Sequence, residues 1–481
     1  MSFINGGSAI RVVTREGTLG AEQENSKLSW TNNRMDFEDF IDSIFNAISY
    51  SKFWKKNSLS LNKAIVNTAL NIILLTLIVL LCASEVIGTT GTDNLTSFGV
   101  CVCQFLFHFA GLCKWVIIIL KSDDVKDILI RIKRCHEICR SYNKTQKEFF
   151  EYSQKIDKFK SDMITFAKLW SLLCICGAIE WCLNPLIYDC YNIYILKIPT
   201  TNYTRSLPFE AYIPWTIDSN KKYIMTFAFQ FISGIAASIG MVISDVLNVI
   251  FLANISFNLE FLNITLVKEN KNFAILRFSD SDMAIKKFKS KLRTCLIHHR
   301  EILKFVDQLN NLSSQSVFIL CFTTTAALCL LSFVVAMFKI EPTIECIVRL
   351  TSIIEFWFGV TVDLFLFSFL ATRIEERGLT TADAIYACNW EQSMANYDGE
   401  FTGDHRQTIL DINQMISFSL MRAQKPITFQ GGLFYVLSLE TFKAVSLVSI
   451  NIDHFNSKNF GFFFSALGIF VVKRCSAATT I

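Results

Sequence analysis

Six long apolar segments dominate this sequence. They occupy residues 64–83, 98–120, 163–187, 223–253, 317–338 and 346–371. The hydrocarbon core of a bilayer requires roughly 20 consecutive apolar residues per helix, and each segment is long enough to meet that requirement. Backbone N–H and C=O groups that face lipid must be satisfied within the segment, so each segment should be a helix. The sequence therefore predicts six membrane-spanning helices.

A seventh apolar segment, at residues 431–452, is shorter and more polar. Pro426 and the pair Gly431-Gly432 separate it from a predicted helix at 404–424, because both residue types break helices. We therefore predict an all-α integral membrane protein with seven transmembrane helices. The predicted regions are a disordered extension (1–34), six transmembrane helices with helical loops (35–371), an anchor helix region (372–429), a last membrane helix (430–458) and an atypical tail (459–481).

The distribution of basic residues predicts how the chain crosses the membrane. Lys and Arg are concentrated in the loops 121–160 and 268–304, whereas 85–97 has none and 189–222 has few. The positive-inside rule then places the N-terminus and both basic loops in the cytoplasm and the C-terminus outside. Apolar residues recur at helical spacing in both basic loops. These amphipathic helices either lie on the membrane face or pack together below it as extensions of the spans.

No sequence pattern indicates an enzyme. A phosphate-binding glycine loop, an HExxH zinc motif and a Gly-x-Ser-x-Gly elbow are all absent from the sequence. Cys135-His136-x-x-Cys139 offers too few ligands to indicate a zinc site, because no second ligand pair lies nearby. We predict no catalytic residue, no metal and no cofactor.

Several ionisable residues fall inside the apolar segments, where burying a charge is costly. Lys114 and Arg349 lie near the ends of their spans, and we expect both to extend their charged groups to the interface. Glu180 and Glu355 are better candidates for a water-filled cavity. The alternative for each residue is an internal ion pair that only fixes helix packing. The complete set is His108, Lys114, Glu180, Asp245, Arg349, Glu355 and Asp363.

Aromatic residues are concentrated in the predicted outer halves of several spans. An apolar cleft lined by aromatic side chains and a few polar groups suits a small volatile or lipid-like ligand. The alternative is that these side chains face lipid or neighbouring helices. The candidate pocket residues are Phe105, Phe109, Glu180, Trp181, Phe227, Phe231 and Trp357.

The segment 424–442 resembles the signature that precedes the last membrane helix of insect odorant receptors. It runs from Gln424 through Pro426 and Gly431-Gly432 to Phe442. Three further segments resemble that family in the same order. They are Leu207-Pro208-Phe209 with Tyr212-Ile213-Pro214-Trp215, His298-His299-x-x-Ile302-Leu303, and Ala384-Ile385-Tyr386-x-x-x-Trp390.

The resemblance implies a ligand-gated, non-selective cation channel in the plasma membrane of sensory neurons. Its implied partners are a small volatile odorant, the lipid bilayer and an odorant co-receptor subunit in a heterotetramer, with no nucleic acid. The last helix of each subunit would line the pore, here through Leu439, Phe442, Val445, Ser449 and Ile452. The alternatives are a gustatory-type chemoreceptor channel and a non-conducting variant.

The resemblance ends shortly after Val445. The polar residues Asp453, His454 and Asn456 stand where the family's last helix is apolar, and an additional apolar run follows at 459–472. Two interpretations stay open, a mis-assigned terminal exon and a genuine variant that does not conduct. In the predicted topology, the sequons at Asn94 and Asn202 are extracellular and are candidate glycosylation sites.

Overall fold

A computed structural model describes residues 61–91, 95–142, 146–197, 205–276, 281–337, 344–387, 403–432 and 435–456. Five predictions lie outside these residues. They are the disordered segment 1–34, the two glycosylation sites Asn94 and Asn202, and the runs 459–472 and 459–481. Side chains are described only as far as Leu447 in the last helix.

The described residues form nine α-helices and one small hairpin. The helices are α1 (Leu61–Thr89), α2 (Leu95–Leu120), α3 (Ser122–Tyr142), α4 (Gln146–Cys190), α5 (Asn220–Leu276), α6 (Ser281–Met337), α7 (Ile344–Tyr386), α8 (Gly403–Ala423) and α9 (Leu439–Asn456). A π-helical turn (Tyr191–Ile195) follows α4 directly. The strands are β1 (Phe429–Gly431) and β2 (Tyr435–Leu437), which pair antiparallel.

Six of these helices are long and apolar enough to cross a membrane, namely α1, α2, α4, α5, α6 and α7. They contain the described residues of the six apolar segments found in the sequence, so the prediction of an all-α membrane protein with these spans is confirmed. The seventh predicted segment contributes to α9, which has only 18 residues.

The last membrane segment begins later than the sequence suggested. The predicted last membrane segment began at Gly431, but Gly431 ends β1, Tyr435–Leu437 form β2, and α9 starts at Leu439. Gly432 has a φ of +64°, a left-handed conformation that L side chains rarely adopt. Its N–H donates to the Ser314 carbonyl at 3.2 Å, and a Cβ on Gly431 would lie 3.2 Å from the Phe318 backbone nitrogen. The hairpin therefore packs tightly against α6.

Both basic loops are largely helical continuations of the spans. Helices α5 and α6 have 57 residues each, which corresponds to roughly 85 Å at about 1.5 Å per residue. That length is about twice the full thickness of a bilayer. Buried apolar side chains from α3, α5, α6 and α8 belong to one hydrophobic cluster, for example Ile128, Leu259, Ile302 and Ile412. The helical loops thus pack together as extensions of the spans, the second of the two arrangements considered from the sequence.

Helices α2 and α5 approach each other closely through small residues. A Cβ on Gly111 would lie 2.4 Å from the Ala237 carbonyl oxygen, and one on Gly240 would lie 2.7 Å from the Gly111 carbonyl oxygen. Such contacts require that these positions lack side chains. The close packing of α2 on α5 fixes one wall of the cavity described next.

Candidate ligand-binding cavity

A cavity of about 150 Å³ lies among α2, α4, α5 and α7. Most of its lining is apolar, and aromatic rings are prominent in it. The aromatic lining residues are Phe107, Trp170, Trp181, Phe209, Phe356 and Phe358. An engineered apolar cavity of about this volume binds benzene, so the space admits a small organic molecule.

The aromatic residues form a connected wall. Phe356 of α7 makes edge contacts with Phe107 of α2 at 5.8 Å and with Trp181 of α4 at 6.2 Å between ring centroids. These distances lie in the range where aromatic pairs attract one another beyond their buried area. Three helices therefore hold one another around the cavity through these rings.

Phe209 enters the cavity from the segment that precedes α5. Its backbone N–H donates to the Gln230 side-chain oxygen at 3.1 Å, and the Gln230 amide nitrogen donates back to the Phe209 carbonyl at 3.1 Å. Gly234 makes room for the ring, because a Cβ there would lie 2.8 Å from Phe209 Cζ. The two hydrogen bonds to Gln230 and the space left by Gly234 thus position Phe209 in the cavity wall.

His108 of α2 lines the cavity and is paired with Glu85 of α1. Its Nδ1 lies 2.7 Å from Glu85 Oε1, and both side chains are almost fully buried. The Phe209 ring packs edge-on against the imidazole at 4.5 Å. The sequence singled out His108 as an ionisable residue at membrane depth but gave no indication of Glu85, which lies near the end of its span.

Lys114 does not extend to the interface, which corrects the prediction from the sequence. Its side chain is 1% exposed, and its Nζ lies 2.6 Å from Asp245 Oδ1 and 3.7 Å from Asp363 Oδ2. A lysine surrounded by protein cannot reach water, and two buried carboxylates offer it charge compensation instead. The three residues join α2, α5 and α7, and both aspartates line the cavity. Lys114 therefore follows the alternative given in the sequence analysis, an internal ion pair that fixes helix packing.

The other predicted ionisable residues have separate positions. Glu355 lines the cavity, and a Cβ on Gly177 would lie 2.5 Å from its Oε1. Glu180 is not among the lining residues, and its Oε1 accepts hydrogen bonds from Asn184 Nδ2 at 3.0 Å and Ser352 Oγ at 3.3 Å. Arg349 is exposed near the first turns of α7.

Of the seven predicted pocket residues, Trp181 lines the cavity and six do not. The six are Phe105, Phe109, Glu180, Phe227, Phe231 and Trp357. Phe105 and Phe109 stack on each other at 5.6 Å on a different face of α2, and Phe109 is 40% exposed. The cavity face of α2 instead carries Gln104, Phe107 and His108, because residues three and four apart share one face of a helix.

The same rule accounts for the positions of the other predicted pocket residues. Phe227 and Phe231 stack at 6.3 Å along α5, beside the cavity face that carries Gly234. Trp357 is buried in the main hydrophobic cluster, whereas its neighbours Phe356 and Phe358 line the cavity. Polar residues in the sequence could have indicated which helix faces line the cavity, because His108 and Asp245 lie on the cavity faces of α2 and α5.

The predicted pore residues Leu439, Phe442 and Val445 are buried against the chain's own helices. The Phe442 ring packs edge-on against Phe365 of α7 at 5.5 Å, and the Leu439 N–H donates to Thr372 Oγ1 at 3.0 Å. These three residues are spaced three apart, so they share the face of α9 that packs on the chain itself. The exposed face of α9 carries Glu440, Ala444 and Leu447. The side chains of Ser449 and Ile452 lie outside the described residues.

The Cys135-His136-x-x-Cys139 motif lies in α3, outside the spans. Within the described ranges, no group of three or more His, Cys, Asp or Glu side chains is placed to hold a metal ion. Cys139 Sγ lies 3.5 Å from His298 Nε2, and His136 Nδ1 is hydrogen-bonded to Tyr152 Oη at 2.8 Å. Burial, and then the nearby Lys160 and Arg140, lower the pKa of His136 to about 3. His136 is therefore a neutral, buried residue at pH 7.

The fold defines a multi-pass α-helical membrane protein with a mostly apolar cavity among its helices. A family model described as 7tm Odorant receptor matches residues 94–449. This match covers well over half of the chain, and the chain belongs to the odorant receptor family.

Individual relatives agree with the family assignment. Odorant receptor 13a of Drosophila melanogaster is 21% identical over 293 residues, which cover 60% of this chain and 65% of that receptor. Odorant receptor 85c of the same organism is 21% identical over 314 residues, 65% of this chain and 74% of the receptor. The chain thus aligns with slightly less than two thirds of the first of these receptors.

Solved structures share the fold. The insect olfactory receptor OR5 from Machilis hrabei superposes with a TM-score of 0.65 at 16% identity, covering 90% of this chain and 98% of that one. The same receptor in complex with eugenol superposes with a TM-score of 0.66 at 16% identity, covering 86% and 97%. At this identity the likeness establishes the fold.

Proposed function

We propose that this chain is the odorant-binding subunit of a ligand-gated, non-selective cation channel. It acts with an odorant co-receptor subunit in a heterotetramer in the plasma membrane of sensory neurons. The observation that carries the proposal is the aromatic cavity among α2, α4, α5 and α7. A mostly apolar cleft or cavity with a few polar groups is typical of a small-molecule site.

The ligand is a small volatile odorant. The cavity volume of about 150 Å³ suits a molecule near the size of benzene. Eugenol, which is bound in the OR5 complex, is likewise a small aromatic compound. Apolar side chains and rings supply most of the contact, and groups such as His108 and Glu355 orient the polar part of the ligand.

Helix α7 links the cavity to the last helix. Glu355, Phe356 and Asp363 line the cavity, and the next turns of α7 carry Phe365 and Thr372, which contact α9. A ligand that binds one position of α7 more tightly than another shifts the equilibrium between them by that difference in affinity. Movement of α7 then changes the position of α9 through these contacts.

The pore is lined by the face of α9 that the chain itself leaves uncovered. Glu440, Ala444 and Leu447 are exposed, whereas Leu439, Phe442 and Val445 are buried against α7 and the core. A helix with one face packed on its own subunit presents the opposite face to neighbouring subunits or to a central channel. The acidic Glu440 on this face suits a pathway for cations.

Co-expression with an odorant co-receptor and recording of currents across an odorant panel test the proposal. The decisive variant is Gly359→Phe, because Gly359 lines the cavity and a Cβ there meets nothing within 4 Å. We expect this side chain to fill the cavity and to abolish odorant currents while surface delivery stays normal. Phe109→Leu, at a side chain that is 40% exposed and does not line the cavity, is the matched control and should respond like the wild type.

Two results would count against the proposal. The first is the absence of current across a chemically broad panel despite normal surface delivery. The second is a full response from Gly359→Phe, which would place the odorant outside this cavity.

A further inference from the structure

The Glu85–His108 pair is isolated from other charges. Glu85 is 0% exposed and His108 is 1% exposed, and Nδ1 of the imidazole lies 2.7 Å from the carboxylate. Within the described ranges, His108 is the only basic group in ion-pair contact with Glu85. An uncompensated charge at such a site is costly, so the pair as a whole is neutral.

Neutrality fixes the position of a hydrogen on the ring. The pair is neutral as a carboxylate beside an imidazolium, or as a carboxylic acid that donates to Nδ1 of a neutral imidazole. In the first form both ring nitrogens carry a hydrogen, and in the second form the hydrogen is on Nε2. Both of these forms place an N–H at Nε2. A third neutral form has the acid hydrogen on Glu85 Oε2 and an Nδ1–H that donates to Oε1, and it leaves Nε2 as an acceptor. That form is disfavoured because Oε2 is buried without a partner among the described residues, so its hydroxyl would lack an acceptor. The form with a net negative charge also leaves Nε2 as an acceptor.

The Nε2 atom faces the cavity. It lies 3.6 Å from the position that a Cβ would occupy on Gly234, and Gly234 also lines the cavity. Among the described residues, no side chain or backbone group is hydrogen-bonded to Nε2, although the imidazole is almost completely buried. Nε2 is therefore available to a polar atom of a molecule in the cavity.

We propose that His108 is a specificity-determining residue, which donates a hydrogen bond from Nε2 to a carbonyl oxygen of the ligand, and that Glu85 positions it. The preferred ligands are then small ketones, aldehydes or esters rather than hydrocarbons of the same shape. This inference rests on the proposed function, because it names the ligand class of the same cavity.

Other hydroxyl donors in the lining are already used within the protein. The Ser238 hydroxyl donates to the Gly234 carbonyl at 3.0 Å, and the Ser352 hydroxyl lies within hydrogen-bond distance of Glu180 and of the Val348 carbonyl. Glu355 and the aspartates offer mainly acceptors. The lining also contains the indole N–H of Trp170, which is buried without a partner, and the side-chain amide of Gln104. His108 differs from both because Glu85 fixes its ring, and the His108→Phe comparison decides which donor the carbonyl uses.

The first experiment measures the protonation of His108 directly. The full chain is labelled with ¹⁵N-histidine, placed in lipid nanodiscs at pH 7 and studied by NMR. The sequence has six histidines, and the His108→Phe variant identifies the His108 signals. We expect Nε2 to carry a hydrogen and its resonance to shift when acetophenone is added. A bare Nε2, or no shift at saturating acetophenone, would overturn the inference.

The second experiment measures selectivity by thermal stabilisation in the same nanodiscs. Acetophenone and ethylbenzene differ by replacement of the carbonyl with CH₂. One hydrogen bond should make acetophenone bind roughly tenfold more tightly to the wild type. His108→Phe, which retains an aromatic ring, should reduce this preference to about twofold or less. Phe105→Leu, on another face of α2, is the control and should retain it.

The inference would be overturned if the wild type bound acetophenone and ethylbenzene equally, or if His108→Phe kept the preference for acetophenone. The absence of stabilisation by either compound would also overturn it. These measurements report protonation and binding without gating. A chain that binds acetophenone through His108 but produces no current would contradict the proposed channel function and leave this inference intact. A chain that conducts but binds acetophenone and ethylbenzene equally would support the channel function and contradict the role of His108.

Discussion

Lys114→Met tests whether the Lys114–Asp245–Asp363 triad holds the helix bundle together. Methionine preserves most of the apolar stem and removes the ammonium group. Lys114 is 1% exposed and lies 2.6 Å from Asp245 and 3.7 Å from Asp363. The variant leaves two buried carboxylates without a cation. Breaking a buried ion pair by removing one partner costs about 3–5 kcal/mol.

This cost converts into a measurable change in melting temperature. An unfolding entropy of about 2.1 cal/mol/K per residue, over 481 residues, gives roughly 1 kcal/mol for each degree. We therefore expect the melting temperature of Lys114→Met in nanodiscs to fall by about 3–5 °C at pH 7. Intrinsic tryptophan fluorescence during heating provides the measurement.

Two further variants separate charge from packing. Asp363→Asn leaves Lys114 and Asp245 as a matched pair, so its melting temperature should stay within about 1 °C of the wild type. The combination of Lys114→Met with Asp245→Asn and Asp363→Asn removes every charge and should recover most of the loss. A Lys114→Met protein as stable as the wild type would refute the reasoning, since two buried carboxylates would then need no cation.

Three other predictions follow from separate contacts. Gly111→Ala should destabilise the chain by about 1–3 kcal/mol, because the added Cβ would clash with the backbone of α5. Gly359→Ala is the control, because its Cβ has open space around it and should not destabilise the chain. The melting temperatures of the two variants provide the measurement. Phe442→Leu removes a 5.5 Å contact with Phe365 and should shift the half-maximal odorant concentration about two- to tenfold in current recordings without changing odorant binding. His136 has a pKa lowered to about 3 from 6.5 in the folded chain. Its neutral form therefore contributes stability above pH 6.5 that is lost as the pH falls, about 2 kcal/mol between pH 7 and pH 5, and His136→Asn should flatten that dependence.

The spans could be predicted from the sequence because apolar length is a local property. The sequence also contains a weaker local indication that α5 and α6 continue beyond the bilayer. No Gly or Pro occurs between Gly240 and Pro342, so neither residue type interrupts α5 or α6 there. The charge pattern identified basic loops there, and only the structure shows that they extend the spans and pack together.

The cavity was harder to predict because it depends on how each helix is rotated about its axis. Phe105 and Phe107 are both aromatic residues on α2, yet one faces away from the cavity and the other lines it. Hydrophobicity does not separate them, since lipid and protein interior are equally apolar. Likewise, the partners of Lys114 lie on other helices, with Asp245 separated from it by 131 positions. A single sequence contains no local sign of that distant contact.

The unequal distances within the triad indicate which helix is free to move. Lys114 binds Asp245 at hydrogen-bonding distance, which holds α2 against α5, where Gly111 and Gly240 already allow close packing. The contact with Asp363 of α7 is 1.1 Å longer, the difference between 3.7 and 2.6 Å, and Asp363 also lines the cavity. Coulomb attraction weakens with distance, so the tie to α7 is the weaker one. In the proposed channel, a ligand that changes the position of α7 therefore disturbs the weaker contact, while α2 and α5 provide a fixed wall against which α7 moves.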